Sequence, residues 1–184
     1  MSRLERLLSD AEEDVLAAES EAYESARFDD PGEREAAAGW LRANPTAGGV
    51  LLLLALRREA PGAYASIPAE TRARILAAAM RERANLNDFG YIDEQGGLDR
   101  EAGDALLELG EAAIAPLAGE LGDMNPGQLE GSEEATLTDD YALRRADFAY
   151  RYLARILGLQ PKFDPDPAVR DQHIAELRER LEAR

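Results

Sequence analysis

Apolar residues recur at steps of three and four along most of this chain, and the segments they define are separated by proline and glycine. That period places them on one stripe of a helix, whereas a half-buried strand needs strict alternation. No stretch alternates with period two for long, so the sequence predicts an all-α fold with little or no sheet. The helix starts carry their own signal. Asp30-Pro31, Asn44-Pro45 and Asp166-Pro167 each set a side chain able to accept first-turn N–H groups before a proline. Proline's φ is already helical, and it has no N–H to leave unpaired in the first turn.

Leu4, Leu7, Leu8, Ala11, Val15, Ala18 and Ala22 predict a first amphipathic helix over residues 4–28, able to sit at the periphery. Asp30 caps a second helix, with Glu33 reaching back, which carries Ala37, Trp40 and Leu41 and stops before Pro45. Asn44 is expected to cap a third, through "VLLLLALRRE", which is apolar nearly all round and should be the most enclosed element. Arg57 and Arg58 stand at its C-terminal end, where cations complement the macrodipole. "APGAYASIP" reads as a loop, and Pro68 opens a fourth helix with Ile75, Leu76, Ala79 and Met80 in one stripe.

Residues 85–97 read as an irregular connection held by Phe89 and Tyr91. Two short helices, 98–109 and 113–121, are hinged at Gly110. Pro116 is tolerated there only if the second helix starts at about Ala112 or Ala113, near the free first turn. An acidic loop follows over 122–138. The period then returns through Tyr141, Phe148, Tyr152, Leu153 and Ile156 until Gly158, and a last helix aligns Val169, His173, Ile174, Leu177 and Leu181. Seven or eight helices with short connections predict an irregular antiparallel bundle in a single domain, residues 1–184.

At 184 residues, 45% of them apolar, the chain can bury a core without staples. It has no cysteine, which removes disulfides, thiolate metal sites and cysteine nucleophiles. The longest apolar run, Gly48 to Leu56, is far short of the roughly 20 residues needed to span a bilayer, and acids punctuate the N-terminus. A soluble, cytoplasmic protein with no membrane partner is the expectation.

The chain carries 21 basic and 37 acidic residues, a net charge of −16, and the distribution matters more than the sum. Residues 85–140 hold 15 acids against Arg100 alone, while residues 31–84 and 141–184 are slightly basic. A duplex-binding surface needs clustered cations, so nucleic acid is not an expected ligand. A basic protein or a cation fits better. The acidity is equally explained by solubility or a salty habitat, and the two basic flanks could neutralise the acidic block inside one molecule.

The stretch "DALLELGEAAIAPLAGELGD" resembles the helical repeats of HEAT and phycobilisome-lyase-type proteins. Leu106, Leu109 and Gly110 match the first helix and turn; Ile114, Pro116, Leu117, Leu121 and Asp123 match the second. The resemblance covers about 25 residues and implies protein binding through stacked helix faces. No fixed period links this unit to 33–58 or 141–181, and a plain helical bundle accounts for the same stripes.

Motifs for chemistry are sparse. His173, the sole histidine, has no partner motif for a nucleophilic relay and reads as a surface or boundary residue. The loop Asp88 to Asp99 offers Asp88, Asp93, Glu94 and Asp99 to a hard cation such as Ca²⁺ or Mg²⁺ but departs from the EF-hand pattern. "RRADFAYRYLAR" reads either as an arginine–aromatic anchor or as a core stripe (Phe148, Tyr152) with a basic outer face.

The sequence therefore points to a non-enzymatic interaction module with no cofactor or resident metal. Its expected contact residues are Asp88, Asp93, Glu94, Asp99, Glu130, Glu133, Glu134, Asp139 and Asp140. An acidic antagonist of immunity type, covering a basic toxin or effector, is the alternative. A metal-assisted enzyme using the acidic loop is the third reading.

Overall fold

The computed structural model of the chain describes residues 3–12, 20–83, 86–87, 89–91, 101–127, 129, 140–162 and 164–184. Among them lie ten α-helices and no strand. They are α1 (Arg3–Glu12), α2 (Glu21–Glu24), α3 (Pro31–Ala43), α4 (Val50–Glu59), α5 (Pro61–Ser66), α6 (Ala69–Glu82), α7 (Glu101–Leu109), α8 (Glu111–Glu120), α9 (Arg145–Ile156) and α10 (Pro167–Glu182). The all-α expectation holds. The helix number exceeds seven or eight because two single-turn elements, α2 and α5, interrupt segments read as continuous helix or loop.

The capping signals at Asp30 and Asp166 work as their chemistry requires. The Asp30 carboxylate accepts the N–H groups of Gly32 (2.5 Å) and Glu33 (3.1 Å), with Pro31 opening α3. Asp166 accepts the Ala168 N–H at 2.8 Å, with Pro167 opening α10. Asn44 acts in the opposite direction from the one expected. Its backbone N–H and its side-chain amide both donate to the Trp40 carbonyl, each at 2.9 Å, so it closes α3. A 3₁₀ turn, Ala47–Gly49, leads into α4 instead, and its N-cap Thr46 makes no side-chain capping bond.

α4 is the enclosed element the sequence promised. Val50 through Leu56 are all buried, with α1, α3, α5 and α6 packed around them. Each of its five leucines contributes on the order of 1.5–3 kcal/mol through removal from water. Leu7 and Ala11 of α1 are fully buried, so the first helix belongs to the core rather than the periphery. The expected helix over 4–28 is also not continuous. Ser20 is extended and its hydroxyl caps α2 by accepting the Tyr23 N–H at 3.0 Å.

On the other side of the core, α8 packs between α6 and α9. Phe89 and Tyr91 are buried pins, as expected. The Tyr91 hydroxyl donates to the Leu76 carbonyl at 2.5 Å, and the Tyr152 hydroxyl donates to the Tyr91 carbonyl. Gly110 makes the reversal between α7 and α8 with φ +53° and ψ −122°, a conformation L side chains rarely adopt. α8 starts directly after it, so Pro116 is its sixth residue rather than a first-turn one. The Ala112 carbonyl thereby loses the i+4 donor an ordinary residue would supply. Pro116 is only partly buried, which leaves one side of this turn open to water.

The helix expected from Tyr141 begins at Arg145 instead. Ala142 has φ +45°, and Arg144 is extended. The break is held from outside: the Arg170 guanidinium donates to the carbonyls of Tyr141 (2.7 Å) and Ala142 (3.1 Å). Part of the expected loop 122–138 is also fastened down. Pro126 bridges Arg144, Gly127 N–H donates to Leu143 and Arg145 N–H to Asn125. Gly158 ends α9 as read, with the Leu159 N–H returning to the Ala154 carbonyl at 2.8 Å and the Gly158 N–H to Arg155 at 3.0 Å.

Candidate functional site

Glu101, Asp104 and Glu108 follow helical spacing and share one face of α7. That face meets the C-terminal end of α4 across an open cleft of about 400 Å³, lined by Tyr23, Arg57, Arg58, Tyr64, Glu101 and Glu108 among others. Arg57 engages Glu108 with two parallel bonds, Nη2 to Oε1 at 2.7 Å and Nε to Oε2 at 3.3 Å. This fork is the most directional ion pair available to a guanidinium. Arg58 lies over the Tyr23 ring, 4.4 Å from its centroid, and donates to the Tyr23 carbonyl at 2.5 Å. The Tyr23 hydroxyl donates to the Glu101 carboxylate. Arg72 covers the neighbouring Tyr64 ring at 4.4 Å.

Burial raises the pKa of both tyrosines above its ordinary value. For Tyr23 the Glu101 carboxylate adds to the effect; for Tyr64 the nearby Arg72 opposes it. Both hydroxyls therefore stay protonated at neutral pH, and neither offers a phenolate to a substrate. Glu101 and Glu108 are likewise held, by a hydroxyl and by a guanidinium. The cleft is a mixed-charge surface whose ionic groups are already paired.

The same pairing continues along α8 and beyond it. Glu111 meets Arg184 at 2.5 Å, Glu120 meets Arg81 at 3.0 Å and Asp123 meets Arg145 at 3.8 Å. Glu120 is nearly buried, and burial raises its pKa while Arg81 pulls the other way. Four acids of the 85–140 block are thus clamped by Arg57, Arg81, Arg145 and Arg184, all from the two basic flanks. The internal neutralisation the sequence allowed is realised for this part of the block.

A second charge cluster pins α9 to α10. Asp147 and Arg170 are 4% and 3% exposed, with the Arg170 Nε 3.2 Å from the Asp147 carboxylate. Asp147 also accepts the Arg144 backbone N–H at 2.9 Å and its Nη2 at 3.0 Å. Sequence reading passed over this pair. The available signal was a charge on each apolar stripe: Arg170 is in register with Ile174 and Leu177, and Asp147 adjoins Phe148.

Of the expected contact residues, Asp140 is exposed. Asp88, Asp93, Glu94, Asp99, Glu130, Glu133, Glu134 and Asp139 lie outside the described residues, and with them the candidate cation loop 88–99. Among the described residues no group of three or more acids and histidine is placed to hold a metal ion. His173 is a boundary residue as read, stacked on Tyr150 with ring centroids 6.1 Å apart. Phe148 and Tyr152 are core, and Arg144 and Arg145 pair with acids, so the core-stripe reading of that segment holds. Among the described residues no helix is long and apolar enough to cross a membrane. Comparison of the chain with protein families, with characterised proteins and with solved structures finds no match.

Proposed function

We propose that this protein is a non-enzymatic, protein-binding helical module whose partner presents a basic surface. Its α7–α8 pair is read as one HEAT-like unit, on the strength of the Gly110 reversal and the two apolar stripes it joins. The observation that carries the binding reading is the distribution of arginines. Arg57, Arg81, Arg145 and Arg184 are engaged by Glu108, Glu120, Asp123 and Glu111. Those guanidinium groups are committed to α7, α8 and the turn after them. The segments on either side, 84–100 and 128–139, contain eight acids and Arg100 as their single base. Charge of one sign concentrated beside a rigid helix pair favours rapid association with a cationic partner. Met124, 53% exposed, is the single large apolar side chain standing out among the described residues, so a charged contact is better supported than an apolar one.

Affinity capture from the native organism, at low and at physiological ionic strength, tests the reading. It is repeated with a Glu130→Lys, Glu133→Lys, Glu134→Lys variant. The expected result is a basic partner whose association rate falls with salt and whose capture fails with the variant. Neutral or acidic partners, or capture indifferent to the charge reversal, would overturn it.

A further inference from the structure

α10 is the longest helix among the described residues, yet only Arg170, Ile174 and Leu177 of it are buried. It packs on α9. Its first half is clasped there: the Arg170 guanidinium donates to the carbonyls of Asp164, Pro165, Tyr141 and Ala142 and pairs with Asp147. Past Leu177 no residue of α10 is buried.

That far half carries arginines to both ends of α8. The Arg184 Nη2 lies 2.5 Å from the Glu111 Oε1, at the start of α8. The Arg178 guanidinium lies over Gly122, just past its end, where an added Cβ would meet the Nη2 at 3.2 Å. A cation at this position complements the negative end of the helix dipole. Arg180 shares a small cleft with Arg184 and Glu111. These are the contacts a basic peptide would make with the acidic side of α8, supplied by the chain itself. They are also open to replacement. The Arg184 and Glu111 side chains are 42% and 79% exposed, and a pair so open to water shifts an equilibrium by at most about fivefold. A tethered group still competes, because its effective concentration is high wherever it can reach.

We propose that residues 177–184 are an internal basic ligand of the α7–α8 unit, an autoinhibitory contact that an arginine-rich partner displaces. The Arg170 clasp keeps the first half of α10 in place while the far half leaves. Displacement frees Glu111 and the end of α8 at Gly122, next to the acidic segment that begins at 128. The inference rests on the binding reading above and adds the regulation of that region.

The test uses the full-length protein and labelled nona-arginine, followed by fluorescence anisotropy at physiological ionic strength. An Arg178→Gln, Arg184→Gln variant is compared with an Arg6→Gln, Arg42→Gln control, both checked by circular dichroism. The control removes the same charge from α1 and α3, and it likewise releases one paired acid, Glu35. Saturable binding at least about threefold tighter in the α10 variant than in the control is expected. Equal affinities would overturn the proposal and leave the binding reading standing, whereas no saturable binding by any of the proteins would sink both. Hydrogen exchange of the wild type gives a second readout. Excess peptide should speed exchange in the last two turns of α10 and leave α9 protected; unchanged or slower exchange in those turns would also overturn the proposal.

Discussion

Replacing Gly110 by alanine tests the α7–α8 reversal at a position where space and backbone strain are cleanly separated. A Cβ built there meets nothing within 4 Å, so any cost is conformational. With φ +53° and ψ −122°, an alanine would sit outside the small left-handed region that L residues tolerate. Such a placement costs on the order of 1–3 kcal/mol. The loss of freedom in the unfolded chain returns about 0.4–1 kcal/mol, leaving a net destabilisation of about 1–2 kcal/mol. Gly119 is the matched control: it also has open space around its Cβ position but lies inside α8 with ordinary helical φ. Gly119→Ala should stabilise by about 0.5–1 kcal/mol, the usual difference within a helix. For a chain of this size each kcal/mol moves Tm by roughly 2–4 °C. Urea and thermal unfolding should then show Gly110→Ala below wild type and Gly119→Ala above it, with unchanged m-values. Equal midpoints for the two variants, or a stabilised Gly110→Ala, would refute the argument that the reversal depends on a backbone only glycine adopts freely.

Other perturbations follow from buried charge. Asp147→Ala leaves Arg170 buried without its carboxylate and should cost about 3–5 kcal/mol in urea unfolding, and adding Arg170→Met should recover little of that loss, because the Tyr141 and Ala142 carbonyls then lose their donor as well. Glu120→Gln removes the pair with Arg81 yet should gain on wild type as pH rises. The folded pKa of Glu120 lies above its ordinary 4.5, so its favourable contribution is complete below that value and is lost as pH climbs through the folded one. Thermal melts of both proteins from pH 4 to 7 check this by whether the gap widens upward. Burial raises the pKa of Tyr23, Tyr64, Tyr91 and Tyr152. Their phenolate absorbance should therefore appear only with alkaline unfolding, and stability should fall above about pH 10, the value of an unperturbed tyrosine.

Much of the architecture was legible in local pattern. Helical spacing with no period-two stretch specified an all-α chain. Asp30-Pro31, Asp166-Pro167 and Gly158 marked helix ends through bonds to residues two to five positions away, which sequence order alone brings together. The run Val50–Leu56 had no polar face to turn outward, so enclosure was its only stable fate. Gly110 announced a reversal for the same kind of reason: the backbone it permits is a property of that residue.

What the tertiary structure decided is what depends on distant partners. Asn44 could serve either the helix before it or the one after, and the packed chain assigned it to α3. Pro116 lies inside α8, beyond the first turn expected for it, because that helix begins at Glu111. The helix expected from Tyr141 starts only at Arg145, and Arg170, 28 residues on from Ala142, takes the Ala142 carbonyl. Nor could composition show which acids of the 85–140 block are neutralised. Arg57 and Glu108 are 51 residues apart, and Tyr23 and Glu101 are 78 apart. Caps and stripes act within a turn or two and are written in neighbouring letters. An ion pair or a cleft exists only once packed helices bring side chains of unrelated segments within a few ångströms, and that proximity belongs to the fold.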